Sequence, residues 1–410
     1  MSVDINDYIN TIQYKWNILD KLPKLTQEQI KAIDNDNFRM FFYCYYGYPE
    51  FLMYTKKKLL KRYIDKVKSN LYLVASLGGQ IEFMKHLEEI GFDIRTTNTD
   101  GDDAYSTAVC SGNVSVLKYL EEKGITNNHG ENAYLLAARC GRLEVIQYLE
   151  SIGFDIGYKN KHGSNAYLIA ALYGQLEVMK HLEAIGFDIG HLNNNGDNAY
   201  LNAARQGNVL IIQHLKAIGF DIGHKNKHGS NAYSIAGLYG QVEVMKYLEA
   251  IGFDIGHINN NGDNAYLNAA WEGHILAMEH LETIGFDIGH INNRGYNAYL
   301  YAVRRGHILI MKHLEEIGFN IRHINNNGYN AYRLAVIYKQ TNVIKHLEER
   351  EYEKYKYINN ANNDCLICYS HDDESYIQCK HSHIVHRSCQ ISSEKLHCLY
   401  CFEKYDIVLL

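Results

Sequence analysis

Apolar and polar positions repeat along most of this chain with a period of 33 residues. The tripeptide Asn-Ala-Tyr marks the period, and its tyrosine recurs at Tyr134, Tyr167, Tyr200, Tyr233, Tyr266, Tyr299 and Tyr332, with Tyr72 and Tyr105 extending the series. The step from Tyr105 to Tyr134 is four residues short, and the missing residues fall between Gly124 and Gly130. A deletion there shortens a loop and leaves the flanking helices intact.

Each period predicts two short helices followed by an extended turn. In residues 193–224, Tyr200, Ala203 and Ala204 are spaced as one face of a first helix, which Gly207 ends. The buried stripe of a second helix is predicted at Val209, Ile212 and Leu215. The Gly- and Asn-rich segment that follows suits a hairpin. Since neither helix buries its apolar face alone, we expect the periods to stack into an all-α repeat solenoid.

This helix–turn–helix–hairpin unit resembles the ankyrin repeat over residues 69–350, about nine units. The T-P-L-H-x-A motif of that family is altered to N-A-Y-L-x-A, as in residues 198–203, so its Thr and His are missing. Lys339 stands where the other units have Gly, and such a departure is expected in a terminal unit that caps the solenoid. Residues 1–68 are predicted to form a helical N-terminal cap, with one degenerate repeat around Gly47 as the alternative.

By the same resemblance, a groove lined by the first helices and the hairpin tips is expected to bind a protein partner. The positions that vary in the family include the two residues before the helix-ending Gly, and the rest of each unit is nearly copied here. Because Trp, Tyr and Arg dominate binding hot spots, this variation favours recognition of a protein partner. The alternative is that these positions drifted after the repeats were duplicated. The predicted partner contacts are Arg139, Tyr173, Arg205, Tyr239, Trp271, Arg304, Arg305 and Tyr338.

Two histidine series also repeat every 33 residues, one from His191 to His323 and one, with a gap, from His181 to His346. Successive units lie roughly 10 Å apart, one helix diameter, whereas the ligands of one zinc ion lie within about 2 Å of it. We therefore predict structural or surface roles for these histidines. The hydroxyl of the repeated tyrosine is expected to bond to a backbone group or an Asn.

Composition and charge narrow the function classes. The net charge of −6 lacks the chain-wide basic excess of a nucleic-acid binder. The acidic, polar N-terminus is not a secretory signal, and no apolar run reaches the ~20 residues that cross a bilayer. We expect an intracellular, cytoplasmic protein without membrane or nucleic-acid partners. Six of the nine cysteines fall within residues 365–401, which in such a chain indicates metal rather than disulfides.

The C-terminal residues have the order of a two-zinc site. The ligand types are spaced Cys-x2-Cys-x10-Cys-x3-His-x2-His-x2-Cys-x8-Cys-x2-Cys, so two CxxC pairs bracket a Cys/His centre. Eight such ligands suffice for two tetrahedral zinc ions. Residues 365–410 are therefore predicted to form a small zinc-stabilised domain, joined to the repeats by a polar linker at 351–364.

This order resembles the RING finger with two central histidines. The resemblance implies one zinc site at Cys365, Cys368, His386 and Cys389, and another at Cys379, His383, Cys398 and Cys401, with His381 as the alternative to His383. It also implies a ubiquitin-conjugating enzyme bound at Ile367 and Leu396, and a ubiquitin-ligase activity that positions the reacting groups without a nucleophile of its own. Leu399 and Phe402 depart from the pattern of active RING fingers, as does the lack of Trp between Cys389 and Cys398.

The competing hypothesis is a non-enzymatic interaction scaffold with a zinc-bound end domain. The near-identical tandem units, the N-A-Y variant and the many Asn, Ile and Lys residues resemble the ankyrin-repeat proteins of giant DNA viruses. That resemblance implies a host or viral protein as the bound partner.

Overall fold

The computed structural model of the 410-residue chain describes residues 25–31, 42–48, 71–95, 97–98, 101–126 and 132–357, and the short segments 376–379, 384–386 and 405–406. From residue 350 onward the description covers the backbone. The chain divides into two compact units, Met1–Lys227 and His228–Leu410.

The described part of the first unit contains five helix pairs, preceded by a short helix and by the helical residues 42–46. These helices are α1 (Gln27–Lys31), α2 (Leu71–Leu77), α3 (Ile81–Glu89), α4 (Ala104–Ser111), α5 (Val114–Glu122), α6 (Ala133–Cys140), α7 (Leu143–Ser151), α8 (Ala166–Tyr173), α9 (Leu176–Ala184), α10 (Ala199–Gln206) and α11 (Val209–Ala217). The first helices of successive pairs pack against one another, and each also packs against its own second helix.

The described part of the second unit contains four further pairs and three short strands. The helices are α12 (Ala232–Leu238), α13 (Val242–Ala250), α14 (Ala265–Glu272), α15 (Ile275–Thr283), α16 (Ala298–Arg305), α17 (Ile308–Glu316), α18 (Ala331–Ile337) and α19 (Thr341–Tyr357). The strands are β1 (Tyr376–Cys379), β2 (Ile384–His386) and β3 (Tyr405–Asp406). The helix pairs confirm the predicted all-α repeat architecture in each unit.

The Asn of the Asn-Ala-Tyr tripeptide begins the first helix of its repeat. Asn165 Oδ1 accepts a hydrogen bond of 3.0 Å from the N–H of Leu168, and the same cap recurs in the five following repeats. Asn165 Nδ2 donates to the carbonyl of Asp188 in the following loop. The altered motif therefore still caps the first helix although its Thr and His are missing. Such a side-chain cap contributes about 1 kcal/mol to the stability of the helix.

The core of each repeat is built from the tyrosine, the alanines and the second-helix stripe. Tyr167, Ala170 and Ala171 are fully buried. In the repeat at 193–224 the buried residues of α11 are Ile211, Ile212 and Leu215. The prediction of Val209 was wrong: it is half-buried, because it is the first residue of α11, beside the turn that ends α10.

The first histidine series joins neighbouring hairpins. His191 Nε2 lies 2.8 Å from the carbonyl oxygen of Gly163, so the Nε2–H tautomer donates to that carbonyl. The equivalent bonds of His224, His257, His290 and His323 are 2.6–2.8 Å long. The predicted structural role of these histidines is confirmed.

The second histidine series and the repeated tyrosine share a glutamate. Tyr167 donates to Glu183 Oε1 at 2.7 Å, and His214 Nε2 lies 2.9 Å from the same oxygen. The expectation of a backbone or Asn partner was therefore wrong, because the hydroxyl reaches the second helix of its own repeat. The same three-residue arrangement is formed by Tyr134–Glu150–His181, Tyr233–Glu249–His280, Tyr266–Glu282–His313 and Tyr299–Glu315–His346.

The ends of the repeat region differ from its interior. Residues 42–46 are helical, and Gly47 follows with a left-handed φ of 71°, as both a helical cap and a degenerate repeat require. At the other end, Lys339 adopts a φ of 55° in place of the usual glycine. Helix α19 continues to Tyr357, seven residues into the predicted linker, since no glycine ends it as in the earlier second helices. Residues 358–364 lie outside the described residues.

The C-terminal strands form one antiparallel sheet in the order β2-β1-β3. Tyr376 pairs with His386, Ile377 with Val385, and Gln378 with Ile384. Cys379 pairs with Tyr405 of β3. The strands thus bring Cys379 and His386 into a single hairpin, one at the end of each strand.

Candidate partner-binding surfaces

The predicted partner contacts sit at the ends of the first helices. Glycines in the left-handed region, such as Gly207 with φ 80° and Gly306 with φ 80°, end these helices. The two residues before each glycine therefore occupy the last turn of the first helix. The described residues bring several of these contacts together in two places, one in each unit.

In the first unit, Tyr173 and Arg205 line one cleft of about 630 Å³. Exposed Lys161 and His162 form part of its hairpin wall, and Ile169 and Leu172 supply apolar surface. Side-chain amides make up much of the remaining lining, at Asn132, Asn160, Asn193, Asn195 and Asn202. We call this feature the first-unit cleft.

Arg205 is held in the cleft by a buried carboxylate. Its Nη2 lies 2.7 Å from Asp197 Oδ2, and Asp197 is fully buried. Asn226 Nδ2 donates to the other oxygen of Asp197 at 2.8 Å, and Asn193 Nδ2 donates to the first at 3.2 Å. The charge of Arg205 is thus balanced inside the protein, so the cleft offers a fixed guanidinium rather than an unpaired cation.

In the second unit, Trp271, Tyr296, Arg304, Arg305 and Tyr338 form a set that we call the aromatic–arginine cluster. The Arg304 Cζ atom lies 4.6 Å from the ring centre of Tyr338, 5.0 Å from that of Trp271 and 5.6 Å from that of Tyr296. Arg305 Cζ lies 4.8 Å from the ring centre of Trp271. These are cation–π distances, which hold the flexible arginines against rigid rings.

A buried carboxylate also lies behind this cluster. Asp263 Oδ1 accepts from the hydroxyl of Tyr301 at 2.8 Å and from Asn292 Nδ2 at 2.7 Å. The ring of Tyr301 contacts Trp271 edge-on, with 4.9 Å between ring centres. Burial, together with the nearby Asp263 carboxylate, raises the pKa of Tyr301 well above its usual range. The hydroxyl therefore stays protonated and anchors Asp263.

Sequence reasoning missed the two aspartates, although a signal for them exists. The residue before the Asn-Ala-Tyr tripeptide alternates between Ser164, Asp197, Ser230 and Asp263 in consecutive repeats. Eight residues after this position, the two Ser repeats have Leu172 and Leu238, whereas the two Asp repeats have Arg205 and Trp271. A search for such paired changes would have indicated the Asp197–Arg205 contact.

The remaining predicted contacts lie at the same helix ends. Tyr239 is exposed directly after α12, and Arg139 is half-buried near the end of α6. Gln175 Nε2 donates to the backbone carbonyl of Arg139 at 3.0 Å. Their role in binding a partner stays a prediction.

Most of the predicted zinc ligands and conjugating-enzyme contacts fall outside the part of the chain that the structure describes. The predicted site residues that lie outside the described residues are Ile367, Leu396, His381, Cys365, Cys368, His383, Cys389, Cys398 and Cys401. Cys379 and His386 are described through their backbone in the β1–β2 hairpin. Among the residues whose side chains are described, no group of three or more His, Cys, Asp or Glu is arranged to hold a metal ion.

Tandem helix pairs linked by hairpins define a class of repeat protein whose stacked units present extended binding surfaces. Residues 71–160 and 167–259 match the family model "Ankyrin repeats (3 copies)". These residues therefore carry ankyrin repeats, which indicate a protein-binding scaffold.

Comparison with solved structures gave a match at low identity. The human ASB11 ankyrin repeat domain is 20% identical, with a TM-score of 0.42, and the match covers 50% of this chain and 92% of that one. Comparison with curated proteins gave no match. Within the described ranges, every helix is too short or too polar to cross a membrane.

Proposed function

We propose that the repeats hold a protein partner at the first-unit cleft and at the aromatic–arginine cluster, and that residues 365–410 form a two-zinc RING-type module that recruits a ubiquitin-conjugating enzyme. One observation carries the first part: residues that vary among nearly copied repeats meet in a cleft and in an aromatic cluster. Large rigid rings and arginines are the side chains that most often anchor protein interfaces.

The chemistry of the first-unit cleft suits a polypeptide segment. Asn195 in its lining is exposed, so its side-chain amide presents both donors and an acceptor that match the N–H and C=O groups of an extended backbone. Tyr173 is 47% exposed and Tyr158 is 43% exposed, so both rings have surface left for a partner to cover. The fixed guanidinium of Arg205 adds a donor without adding net charge, because Asp197 balances it.

Partner capture is tested by comparing matched variants of the full chain. The chain is immobilised, incubated with cell extract, and its bound proteins are quantified by mass spectrometry. We expect Trp271→Ala and Tyr173→Ala to reduce the same bound proteins at least about tenfold, the loss of one hot spot. Leu276→Ala is the control, because Leu276 is 69% exposed on the second helix α15. Equal capture by all three variants contradicts the proposal.

The C-terminal ligand types fit zinc, and the backbone of the hairpin supports two separate ions. Thiolate and imidazole groups in this order are the donors that structural zinc prefers. His386 pairs with Tyr376, three strand positions from Cys379, which corresponds to about 10 Å along the strands. Two ligands of one ion normally lie much closer, so this register favours different zinc ions for Cys379 and His386.

The zinc ions would be held by Cys365, Cys368, His386 and Cys389, and by Cys379, His383, Cys398 and Cys401. When bound, they supply folding free energy to a segment too short for a large apolar core. Elemental analysis of the purified chain is expected to give two zinc ions. We expect His386→Ala to lower that number and His381→Ala to leave it unchanged; a count of one or zero in the wild type contradicts the ligand set.

The resemblance to RING fingers supports ubiquitin transfer by positioning. In this proposal Ile367, with Leu396 beside it, contacts the conjugating enzyme, and the target lysine attacks the ubiquitin thioester directly. The repeats would keep a bound protein near the charged conjugating enzyme and so raise its effective concentration.

The ligase activity is tested by ubiquitin discharge from a panel of loaded conjugating enzymes. We expect the full chain to accelerate discharge and Ile367→Ala to abolish the acceleration, while Ile391→Ala in the same segment retains it. No acceleration across the panel, from protein that contains two zinc ions, would favour the non-enzymatic scaffold instead.

A further inference from the structure

Two cysteine side chains meet between neighbouring repeats of the first unit. Cys110 lies in the last turn of α4, Cys140 is the last residue of α6, and their Sγ atoms are 2.8 Å apart. Both side chains are partly exposed, whereas Cys44 is completely buried. The pair is therefore close enough to react internally and open enough to meet a small reagent.

The contact follows from the repeat geometry. Cys110 lies two residues before a helix-ending glycine, and Cys140 lies one residue before the next such glycine. In the second unit the same two positions belong to Trp271 and Arg305, which also touch, with 4.8 Å between Arg305 Cζ and the Trp271 ring centre. The stacking of first helices thus brings these positions together wherever the side chains are long enough.

Two arginines make the surroundings of the thiols electropositive. Arg142 Nε donates to the backbone carbonyl of Cys110 at 2.6 Å, and Arg139 directly precedes Cys140. The hydrogen bond between the two thiols, together with the two arginine charges, lowers the pKa of the Cys140 thiol against the opposing effect of burial. The hydrogen bond to Cys140, together with burial, raises the pKa of the Cys110 thiol. Cys140 is therefore the better nucleophile of the two.

We propose that Cys110 and Cys140 form a redox-active thiol pair, which a hydroperoxide converts reversibly into a disulfide between two repeats. The pair lies outside the first-unit cleft, the aromatic–arginine cluster and the predicted zinc ligands, although it adjoins the predicted partner contact Arg139, and the inference does not depend on any of them.

The reaction has two steps and consumes one hydroperoxide. The Cys140 sulfur attacks the terminal peroxide oxygen, an S–O bond forms as the O–O bond breaks, and Cys140 becomes a sulfenic acid while an alcohol, or water from hydrogen peroxide, leaves with the thiol proton. The Cys110 sulfur then attacks the Cys140 sulfur, the S–S bond forms, the S–O bond breaks, and the proton of Cys110 leaves in a molecule of water. The two thiols together lose two electrons, which the peroxide gains.

The two sulfur atoms have little distance to cover in this reaction. A disulfide has an S–S length of about 2.05 Å, so the two sulfurs approach by less than about 1 Å. The closed bond would join α4 to α6 beside Arg139. A dithiol reductant would reverse it by thiol–disulfide exchange. The reductant gives two electrons to the Cys110–Cys140 bond and becomes a disulfide itself.

The test is a map of cysteine oxidation in the full, zinc-loaded chain. The reduced protein is treated with hydrogen peroxide, remaining thiols are alkylated during denaturation, and the chain is digested without reductant by a glutamate-specific protease. This protease separates the two cysteines, because Glu121 and Glu131 lie between them. We expect a linked peptide pair containing Cys110 and Cys140 that disappears after dithiothreitol, while Cys44 stays free and is alkylated.

Variants identify the role of each sulfur. We expect Cys110→Ser to leave Cys140 as a sulfenic acid that dimedone traps, and Cys140→Ser to leave Cys110 unmodified at the same peroxide concentration. In the native protein Cys140 should alkylate at least about tenfold faster than Cys44, as its exposure and electropositive surroundings require. Linkage of either cysteine to a C-terminal cysteine, overoxidation without a link, or equal reactivity of Cys140 and Cys44 would each overturn the proposal.

Discussion

The Asp197–Arg205 ion pair allows a quantitative test of how the polar repeats are held together. Arg205→Leu removes the cation and leaves the fully buried Asp197 carboxylate with the amides of Asn193 and Asn226. Removing one partner of a buried pair costs about 3–5 kcal/mol. We expect a value near about 3 kcal/mol, the low end of that range, because the Arg205 side chain is 22% exposed and its site is partly solvated.

The preceding repeat supplies the matched control for this change. Ser164 and Leu172 occupy the positions of Asp197 and Arg205, and Ser164 is buried like Asp197. The double variant Asp197→Ser/Arg205→Leu copies that repeat and contains no buried charge, so its free energy of unfolding should fall within about 1 kcal/mol of wild type. Asp197→Ser alone should cost about 1–2 kcal/mol, since Arg205 then turns to solvent.

The assay is urea unfolding followed by circular dichroism at 222 nm, with hydrogen exchange of the α10 peptide as a local measure. The local measure is needed because tandem repeats often unfold in more than one step. The four proteins form a double-mutant cycle with an expected coupling of about 3 kcal/mol. If the double variant loses the sum of the two single losses, the ion pair is not what holds these residues together.

Four further outcomes follow from the repeats and their ends. Tyr167→Phe should destabilise the fold by about 1 kcal/mol through loss of the bond to Glu183, whereas Tyr173→Phe at an exposed position should be neutral in the same unfolding assay. Burial and the hydrogen bond to Glu121 raise the pKa of Tyr148 to about 12, whereas tyrosine in the unfolded chain ionises near pH 10. The stability that Tyr148 contributes is therefore complete below about pH 10 and is lost as the pH rises from about 10 to about 12. Unchanged unfolding between pH 8 and pH 11 would contradict that. Lys339→Gly should raise the free energy of unfolding by about 0.5–1 kcal/mol, since it relieves the left-handed φ of 55°; Lys345→Gly, inside α19, is the control and should destabilise. Chelation should remove the C-terminal zinc and leave the ellipticity at 222 nm almost unchanged, because the predicted ligands follow the last described helix; a large loss of helix would place the metal elsewhere.

Much of the repeat architecture was predictable because it depends on short-range features. The glycines at positions such as 207 and 306 end helices through their own backbone freedom, and the tyrosine–alanine spacing defines a helix face within five residues. The error at Val209 has a local cause as well, since a stripe pattern does not show where the first helical turn begins. The end of α19 was missed because Glu351 stands where the earlier second helices end at a glycine, and the polar residues from 351 onward were interpreted as a linker.

The partners of polar side chains were harder to predict, because they depend on how one repeat lies on the next. Tyr167 and Glu183 are 16 residues apart, and Glu183 and His214 are 31 apart, so no short window contains the arrangement. The 33-residue period shows that these residues recur together, but a shared period is compatible with many contacts. The cluster around Arg304 has its origin in the stacking of first helices. Asp197 and Arg205, in contrast, lie in one repeat, and only their partner Asn226 comes from the next.

The sequence by itself determined the period, the helix ends, the family of the repeats and the order of the C-terminal ligand types, since each is a property of neighbouring residues along the chain. Only the tertiary structure decided that Tyr, Glu and His share one hydrogen-bonded group, that Arg205 is neutralised by Asp197, and that Cys110 touches Cys140. The physical reason is that these contacts cross between elements, and their distances are fixed by helix packing rather than by spacing in the chain.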